Sequence, residues 1–280
     1  MHRLVSTNVN STPNLKVLAI PSGKGTSWLN SLIDERDGLI FGETLFHLIG
    51  GDSKNEHAGL PSALATAYSQ MRQEGSFSSP IISTYLGLQK PSHFDAVVIE
   101  PDEPSQFAVV FLHGYMGNVT AQCWEIAQAV KQLGGLTVCP STVWTGEWWQ
   151  AEGQAILQAT FEYVRSQGIQ RFYLGGFSNG GFGISILAPQ WKETDRLAGL
   201  IFIDGFTNGA DVREAGLPVL VIEGLQDERV PVAAARQFVA EVGDLVTYTE
   251  IEGDHFLIMK RPDSVQREIV KWLEIQEADK

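Results

Sequence analysis

The sequence predicts an α/β domain in which helices cover both faces of a mostly parallel sheet. From about residue 79 onward, short β-rich runs alternate with segments of helical pattern. Several of these runs are apolar throughout, as in Ala108–Leu112 and Pro218–Ile222, which is typical of strands buried on both faces. A chain of 280 residues that is 44% apolar and 19% charged is long enough for one large domain of this kind.

The predicted elements alternate along the chain. We expect strands at Ile81–Leu86, Ala96–Ile99, Ala108–Leu112, Leu136–Cys139, Phe172–Leu174, Leu200–Ile203, Pro218–Ile222 and Val246–Thr249. We expect helices at about 120–132, 151–165, 232–242 and 264–274, with one more after residue 179. The first two strands are separated by a short turn around Pro91, so they are expected to form an antiparallel edge of the sheet.

The first quarter of the chain has a different pattern. Leu15–Ile20 is compatible with a strand. Helical patterns cover residues 27–36, 39–49 and 61–73. We therefore expect a mainly helical N-terminal extension over residues 1–78, packed on or capping a catalytic α/β domain over residues 79–280.

The acidic balance of the chain limits its partners. Twenty basic against 33 acidic residues leave a net charge of -13. Nucleic acids and anionic membranes attract cationic proteins, so neither is expected as a partner. No apolar stretch approaches the ~18 residues of a membrane span, and the polar segment Met1–Asn14 lacks the hydrophobic region of a signal peptide. A cytoplasmic location is the default expectation, and the sequence leaves the oligomeric state open.

The two cysteines, Cys123 and Cys139, form neither a metal-ligand cluster nor a disulfide framework. Both lie in apolar segments, so they are expected to pack as small buried residues. Whether they pair with each other stays open at this point. No pattern in the sequence calls for a metal or a cofactor, and none is expected.

Gly176-Phe177-Ser178-Asn179-Gly180 is the most informative motif of the chain. It follows an apolar run that ends at Gly175 and opens into a Gly-rich segment that can begin a helix. A serine between two glycines at a strand-to-helix turn projects its hydroxyl above the sheet, where a carbonyl can reach it. The flanking positions must lack bulk because the backbone approaches itself closely there. The motif predicts Ser178 as a nucleophile.

A serine hydroxyl needs a base to take its proton, and the base needs a third group to orient it. His255 lies just past the last expected strand and is the candidate base. Asp227 lies in the loop after Pro218–Ile222 and is the candidate acid, at the sheet edge where ligand sites form. Asp204, which ends the preceding strand, is a rival acid, although Asp204-Gly205 is also explained as a turn.

The loop after Ala108–Leu112 predicts the remaining part of the site. It begins His113-Gly114-Tyr115 and continues to Gly117. Catalysis at a carbonyl needs two backbone N–H groups directed at the developing oxyanion. The Tyr115 amide and the amide of Asn179, the residue after the nucleophile, are the candidates. We expect His113 to support this loop rather than to act as a base.

These motifs resemble those of the α/β-hydrolase superfamily. The serine motif, His113-Gly114, the Gly-x-x-Asp-x-x-Val-Pro run from Gly224 to Pro231 and Gly253-Asp254-His255 follow one another in the order of that family. The resemblance covers about residue 80 to the end and implies the α/β-hydrolase fold with a Ser-Asp-His triad. The serine motif is also similar to that of small carboxylesterases and acyl-thioesterases.

The resemblance implies a serine hydrolase that cleaves carboxylic esters of small molecules through an acyl-enzyme. A thioesterase, a lipase, an acyl-peptidase and a non-catalytic binding protein of the same fold are the alternatives. A tryptophan-rich segment after Leu136–Cys139 gives the one substrate clue. Its indoles can line an apolar substrate pocket, or they can be core residues; they are Trp144, Trp148 and Trp149.

Overall fold

The structure, a computed structural model, describes residues 14–22, 24–25, 28–31, 34–40, 59–74, 78–191 and 197–278. The strands are β1 (Leu15–Ile20), β2 (Lys24–Gly25), β3 (Phe94–Ile99), β4 (Phe107–Leu112), β5 (Leu136–Pro140), β6 (Arg171–Phe177), β7 (Leu197–Ile203), β8 (Val219–Gly224) and β9 (Val246–Ile251). The helices with defined bounds are α1 (Leu60–Glu74), α2 (Ile81–Tyr85), α3 (Thr120–Gln132), α4 (Ala151–Ser166), α5 (Asn179–Leu187), α6 (Gly209–Glu214), α7 (Val232–Val242), α8 (Leu257–Lys260) and α9 (Pro262–Ala278).

The strands form one twisted sheet in the order β2-β1-β3-β5-β4-β6-β7-β8-β9. From β5 to β9 every neighbouring pair is parallel. β3 runs antiparallel to both β5 and β1. The predicted α/β class with a mostly parallel sheet is therefore confirmed.

The predicted strand at Ile81–Leu86 is wrong, because Ile81–Tyr85 forms the short helix α2. Pro80 precedes this helix with φ -76°, and the Ser79 hydroxyl accepts a hydrogen bond from the Ile81 N–H. The antiparallel partner of β3 is instead β1, which pairs with it along its whole length. Tertiary pairing has overridden the β-branched composition of the segment.

Helices pack on both faces of the sheet and bury it in two apolar layers. On one face, side chains of α4, α5, α6 and α7 contact residues such as Val98, Val110 and Phe202. On the other face, side chains of α1, α3, α8 and α9 contact residues such as Val97, Val109 and Ile201. The alternation within each strand explains why the central strands are apolar throughout.

A disulfide joins Cys123 of α3 to Cys139 of β5. This answers the question that the sequence left open, since both cysteines are buried and also bonded to each other. The bond ties the helix that follows the His113 loop to the strand beside it.

Parts of the N-terminal segment pack against the sheet and its helices. β1 is a strand of the central sheet, and α1 packs against α3 and α8. Most of the predicted helical pattern at 39–49 (residues 41–49) and part of that at 27–36 (residues 27, 32 and 33) lie outside the described residues. In the part of the chain that the structure describes, no helix combines the length and the apolar character needed to cross a membrane.

Candidate active site

Ser178 lies on the turn between β6 and α5, with φ 51° and ψ -120°. A positive φ is strained for a residue with a side chain. Glycines make the turn possible: a Cβ on Gly176 would lie 2.5 Å from the Gly180 carbonyl carbon, and one on Gly205 would lie 2.2 Å from the Ser178 oxygen. The packing thus explains why the sequence places glycine around this serine.

His255 and Asp227 extend from Ser178 in a hydrogen-bonded line. The distance from Ser178 Oγ to His255 Nε2 is 3.0 Å, and the distance from His255 Nδ1 to Asp227 Oδ2 is 2.7 Å. The side chains of His255 and Asp227 are 4% and 0% exposed. Asp227 follows β8 and His255 follows β9, so the parallel strands bring both to the edge at which β6 delivers the serine.

Backbone amides hold the Asp227 carboxylate in place. Its Oδ1 accepts hydrogen bonds from the Arg229 N–H at 2.7 Å and the Val230 N–H at 2.9 Å. Its Oδ2 is thereby directed at His255 Nδ1. The arrangement leaves His255 Nε2 as the atom that faces the serine.

The other two acids near the histidine have different partners. The rival acid Asp204 accepts a hydrogen bond from the Gly224 N–H at 2.9 Å through its Oδ1. Asp254, adjacent to the histidine in sequence, forms an ion pair with Lys260 at 2.5 Å. The structure therefore brings Asp227, and not these two acids, into contact with the imidazole.

The His113 loop lies directly against the nucleophile. A Cβ on Gly114 would be 2.9 Å from both the Ser178 Cβ and the Phe177 oxygen. The loop then turns through Met116 and Gly117, whose φ values are 79° and 84°. Tyr115, whose N–H is a predicted oxyanion donor, is the next residue of this loop after Gly114.

Asn179 is the first residue of α5, where backbone N–H groups have no partner within the helix. Its side-chain Nδ2 donates to the Thr145 oxygen at 2.7 Å. The predicted oxyanion donors thus belong to two segments that border Ser178: the Tyr115 amide to the His113 loop and the Asn179 amide to the start of α5.

His113 is a neutral support of its loop. Nδ1 donates to the Gly114 oxygen at 2.8 Å, and Nε2 accepts from the Thr142 N–H at 3.2 Å. Complete burial lowers the pKa of His113 to about 4. Both ring nitrogens are engaged in the neutral tautomer, so this histidine has no proton to exchange with a substrate.

The tryptophan-rich segment divides into a buried and an accessible part. Trp148 is fully buried, and its indole N–H donates to the His113 oxygen at 2.9 Å. It therefore offers no surface to a substrate, and its predicted place in a pocket wall is corrected to a support of the His113 loop. Trp144 and Trp149 are half-buried. The Trp144 ring packs edge-on against Tyr115, with ring centroids 4.9 Å apart, and against Tyr85 at 6.4 Å.

Two residues at this site, Tyr85 and Glu223, were missed by the sequence analysis. The Tyr85 hydroxyl donates to the Met116 oxygen at 3.1 Å, a contact hidden by the prediction of a strand at Ile81–Leu86. Glu223 is a fully buried acid that lies close to Asp204 and Asp227. Its signal was visible, because it is the one charged residue in the strand Val219–Gly224. These three carboxyl groups are also the described residues whose spacing could hold a cation.

Comparisons with known proteins agree with this fold. Residues 155–257, which include Ser178, Asp227 and His255, match the model of the alpha/beta hydrolase family. No curated protein matches the chain in sequence.

Solved structures with the same fold include several hydrolases. Est1E from Butyrivibrio proteoclasticus superposes with a TM-score of 0.55 at 16% identity, over 66% of this chain and 95% of that chain. A thermophilic esterase from Thermogutta terrifontis gives a TM-score of 0.54 at 15% identity, over 66% and 95% of the two chains. An alpha-beta serine hydrolase homologue from Coxiella burnetii gives 0.52 at 18% identity, over 65% and 92%.

Fold, strand order and the matched segment agree with one another. The chain has the α/β-hydrolase fold, and its residues 155–257 match the alpha/beta hydrolase family.

Proposed function

We propose that this chain is a serine hydrolase that cleaves carboxylic esters through an acyl-enzyme. The observation that carries the proposal is the line from Ser178 Oγ through the His255 ring to Asp227, with distances of 3.0 and 2.7 Å. Each member of such a line has a distinct role: nucleophile, base and orienting acid.

In the first step, Ser178 Oγ attacks the acyl carbon while His255 Nε2 takes its proton. A bond from Oγ to carbon forms, and the carbonyl electron pair moves to the oxygen. Asp227 holds the Nδ1–H and stabilises the imidazolium that results. The Tyr115 and Asn179 amides donate to the oxyanion, where charge develops.

In the second half of the reaction, the carbon–alkoxide bond breaks and His255 returns its proton to the leaving alcohol. Water then enters, gives a proton to His255 and attacks the acyl carbon. Collapse of the second oxyanion breaks the bond to Ser178 while His255 returns the proton to Ser178 Oγ, which releases the carboxylic acid and restores the free enzyme. Protons balance over the cycle, and the steps use residues of this chain and water only.

Small-molecule acyl esters are the proposed substrates. The half-buried indoles of Trp144 and Trp149 are available as an apolar wall. The fold shared with the Thermogutta terrifontis esterase favours an ester over a thioester or an amide.

Replacement of the nucleophile tests the proposal. We expect Ser178→Ala to lower kcat on a short p-nitrophenyl ester by at least about 10⁴-fold, because no other group in the site can form the acyl-enzyme. Ser166→Ala, on α4, is the matched control and should retain wild-type turnover. A Ser178→Ala protein that is folded and fully active would refute the assignment.

A fluorophosphonate probe separates an enzyme from a binding protein of the same fold. Labelling at Ser178 supports the enzyme, and an unlabelled Ser178 in folded protein supports the binding protein. Ester, thioester and amide substrates with one common acyl group then distinguish an esterase from a thioesterase or an acyl-peptidase.

We also propose that the described parts of the N-terminal extension, residues 1–78, pack on the catalytic domain of residues 79–280. The pairing of β1 with β3 and the contacts of α1 with α3 support this.

The cytoplasmic location stays a prediction. The Cys123–Cys139 disulfide argues against it, since disulfides persist mainly in oxidising compartments. Cell fractionation checks it.

A further inference from the structure

Three carboxyl groups meet behind the His255 ring. Asp204 directly follows β7, Glu223 lies in β8 and Asp227 follows β8. One oxygen of each lies within 4.8 Å of the others. Asp204 and Glu223 have no exposed surface. Asp227 is 5% exposed as a whole residue, and its side chain is fully buried. Buried acids at this density have to be explained, because an isolated carboxylate is strongly destabilised away from water.

The three groups differ in how they are paired. Both oxygens of Asp227 have partners: His255, Arg229 N–H and Val230 N–H. Asp204 Oδ1 accepts from the Gly224 N–H. By contrast, Asp204 Oδ2 and both Glu223 oxygens are buried without a hydrogen-bond partner among the described residues. Three unpartnered oxygens therefore lie within one small acidic cluster.

The surrounding charges do not neutralise this cluster. Glu250 and Tyr248 of β9 lie near Glu223, and Asp254 lies near Asp204. The ion pairs of the nearby cations are with other acids: Lys260 with Asp254, and Arg236 with Glu250. Among the described residues, the charged groups that shift the pKa values of Asp204 and Glu223 are thus acids, and Tyr248, near Glu223, is a phenol.

Protonation removes this conflict. A neutral carboxylic acid has an O–H donor, so the proton of one group can be donated to an unpartnered oxygen of the other. Burial and the neighbouring acids raise the pKa of Glu223 to about 9 and the pKa of Asp204 well above its ordinary value.

We propose that Asp204 and Glu223 form a protonated carboxylic acid pair that positions the Asp227 carboxylate and leaves it as the sole negative charge facing His255. This rests on the proposed function, in which Asp227 orients the base. An ionised pair would instead favour the protonated imidazole, and a protonated His255 cannot accept the Ser178 proton. Asp204 and Glu223 are positioning residues, since they act through Asp227.

Infrared spectroscopy of the wild-type protein tests the protonation state directly. We expect carboxylic-acid carbonyl absorption at neutral pH that loses intensity in Glu223→Gln and keeps its full intensity in Glu162→Gln, the control at an exposed position of α4. The absence of a band that depends on Glu223 would overturn the proposal.

Kinetics of a variant pair test the positioning role. Glu223→Leu should lower kcat about tenfold with KM unchanged, because a buried hydrogen-bonding group is lost. Glu223→Gln is a neutral mimic of the protonated acid and should restore most of that loss. A Glu223→Gln variant as impaired as Glu223→Leu would overturn the proposal, since it would mean that the negative charge is required.

Two further outcomes count against the pair. Replacement of the orienting acid in other triads lowers kcat about 10⁴-fold. If Asp204→Asn lowers kcat as much as Asp227→Asn does, Asp204 is the orienting acid. If EDTA abolishes activity and Ca²⁺ or Mg²⁺ restores it, the three carboxylates bind a cation. A protein that shows the acid band but no Ser178 labelling would refute the proposed function and the positioning role together, while the protonated pair would stand.

The pH dependence of stability gives an independent readout. A raised folded-state pKa means that the folded protein binds the proton more tightly than the unfolded chain. The contribution of Glu223 is therefore fully present below about pH 4.5 and is lost as the pH rises toward about 9. In Glu223→Gln, the free energy of unfolding should change less with pH over this range. An unchanged pH dependence of stability would count against a protonated Glu223.

Discussion

At the scale of single residues, the strained turn at Ser178 depends on missing side chains. Gly205, on the neighbouring strand end, would place a Cβ 2.2 Å from the Ser178 oxygen and 2.5 Å from its Cα. Backbone cannot move aside as the tip of a flexible side chain can. A methyl group at Gly205 must therefore displace the nucleophile itself.

We expect Gly205→Ala to destabilise the fold by about 2 kcal/mol or more and to lower kcat by about 100-fold through misplacement of Ser178. The control is Gly168→Ala, which also adds a methyl group but meets nothing within 4 Å. Its positive φ should cost about 1 kcal/mol with kcat unchanged. Both variants are assayed at a temperature at which each is fully folded. Equal kcat values under that condition would contradict the prediction.

The choice between Asp204 and Asp227 shows how far the sequence could go at this scale. Both acids end or follow a buried strand, so both reach the same sheet edge. From the sequence, Asp227 is favoured because Asp204-Gly205 is also explained as a turn at the end of a strand, and the structure joins Asp227 to His255. The proximity of Glu223 could not be predicted, because it depends on the register between β7 and β8.

At the scale of elements, the His113 loop is held by two other parts of the chain, α2 and the tryptophan-rich segment of residues 144–149. Trp148 anchors the loop at His113, and Tyr85 of α2 anchors it at Met116. A Cβ on Gly146 would lie 2.8 Å from the Gly114 oxygen. The predicted oxyanion donor at Tyr115 is thus positioned by packing from outside its own loop.

Sequence patterns predicted the parallel strands well and α2 badly, for a physical reason. Apolar runs buried on both faces have few alternative structures in a chain of this size. Ile81–Leu86 also contains β-branched residues, but their preference for strands is weak. β1 supplies a six-residue partner for β3, so this segment is not needed in the sheet. Strand propensity could not show whether Leu15–Ile20 or Ile81–Leu86 would pair with β3.

We expect Tyr85→Phe to lower kcat a few-fold with little change in KM. The variant loses one hydrogen bond to the Met116 oxygen, worth about 1 kcal/mol. That bond supports the loop of the Tyr115 amide, which we propose as an oxyanion donor that acts mainly in the transition state. Steady-state kinetics on a p-nitrophenyl ester measure the effect. Tyr163→Phe, in α4, is the control, and an equal loss of kcat in both variants would exclude a specific role for Tyr85.

At the scale of the whole molecule, the candidate site draws on the carboxyl ends of β4, β6, β8 and β9. Each supplies one part: the His113 loop, Ser178, Asp227 and His255. Because the sheet is one continuous set of parallel pairs from β5 to β9, the relative positions of these parts depend on the register of every pair between them. Global stability and site geometry are therefore linked.

The Cys123–Cys139 disulfide connects this sheet to α3, and its removal measures how much that link contributes. The two cysteines are 16 residues apart, and closing a loop of this length restricts the unfolded chain by about 3 kcal/mol. We expect Cys123→Ala/Cys139→Ala to lose about this free energy of unfolding in denaturant titrations. A reducing agent should destabilise the wild type similarly and leave the double variant unchanged, which separates the bond from the loss of packing. Two free thiols on alkylation of the native protein, with no effect of reduction, would show that the cysteines pack unbonded.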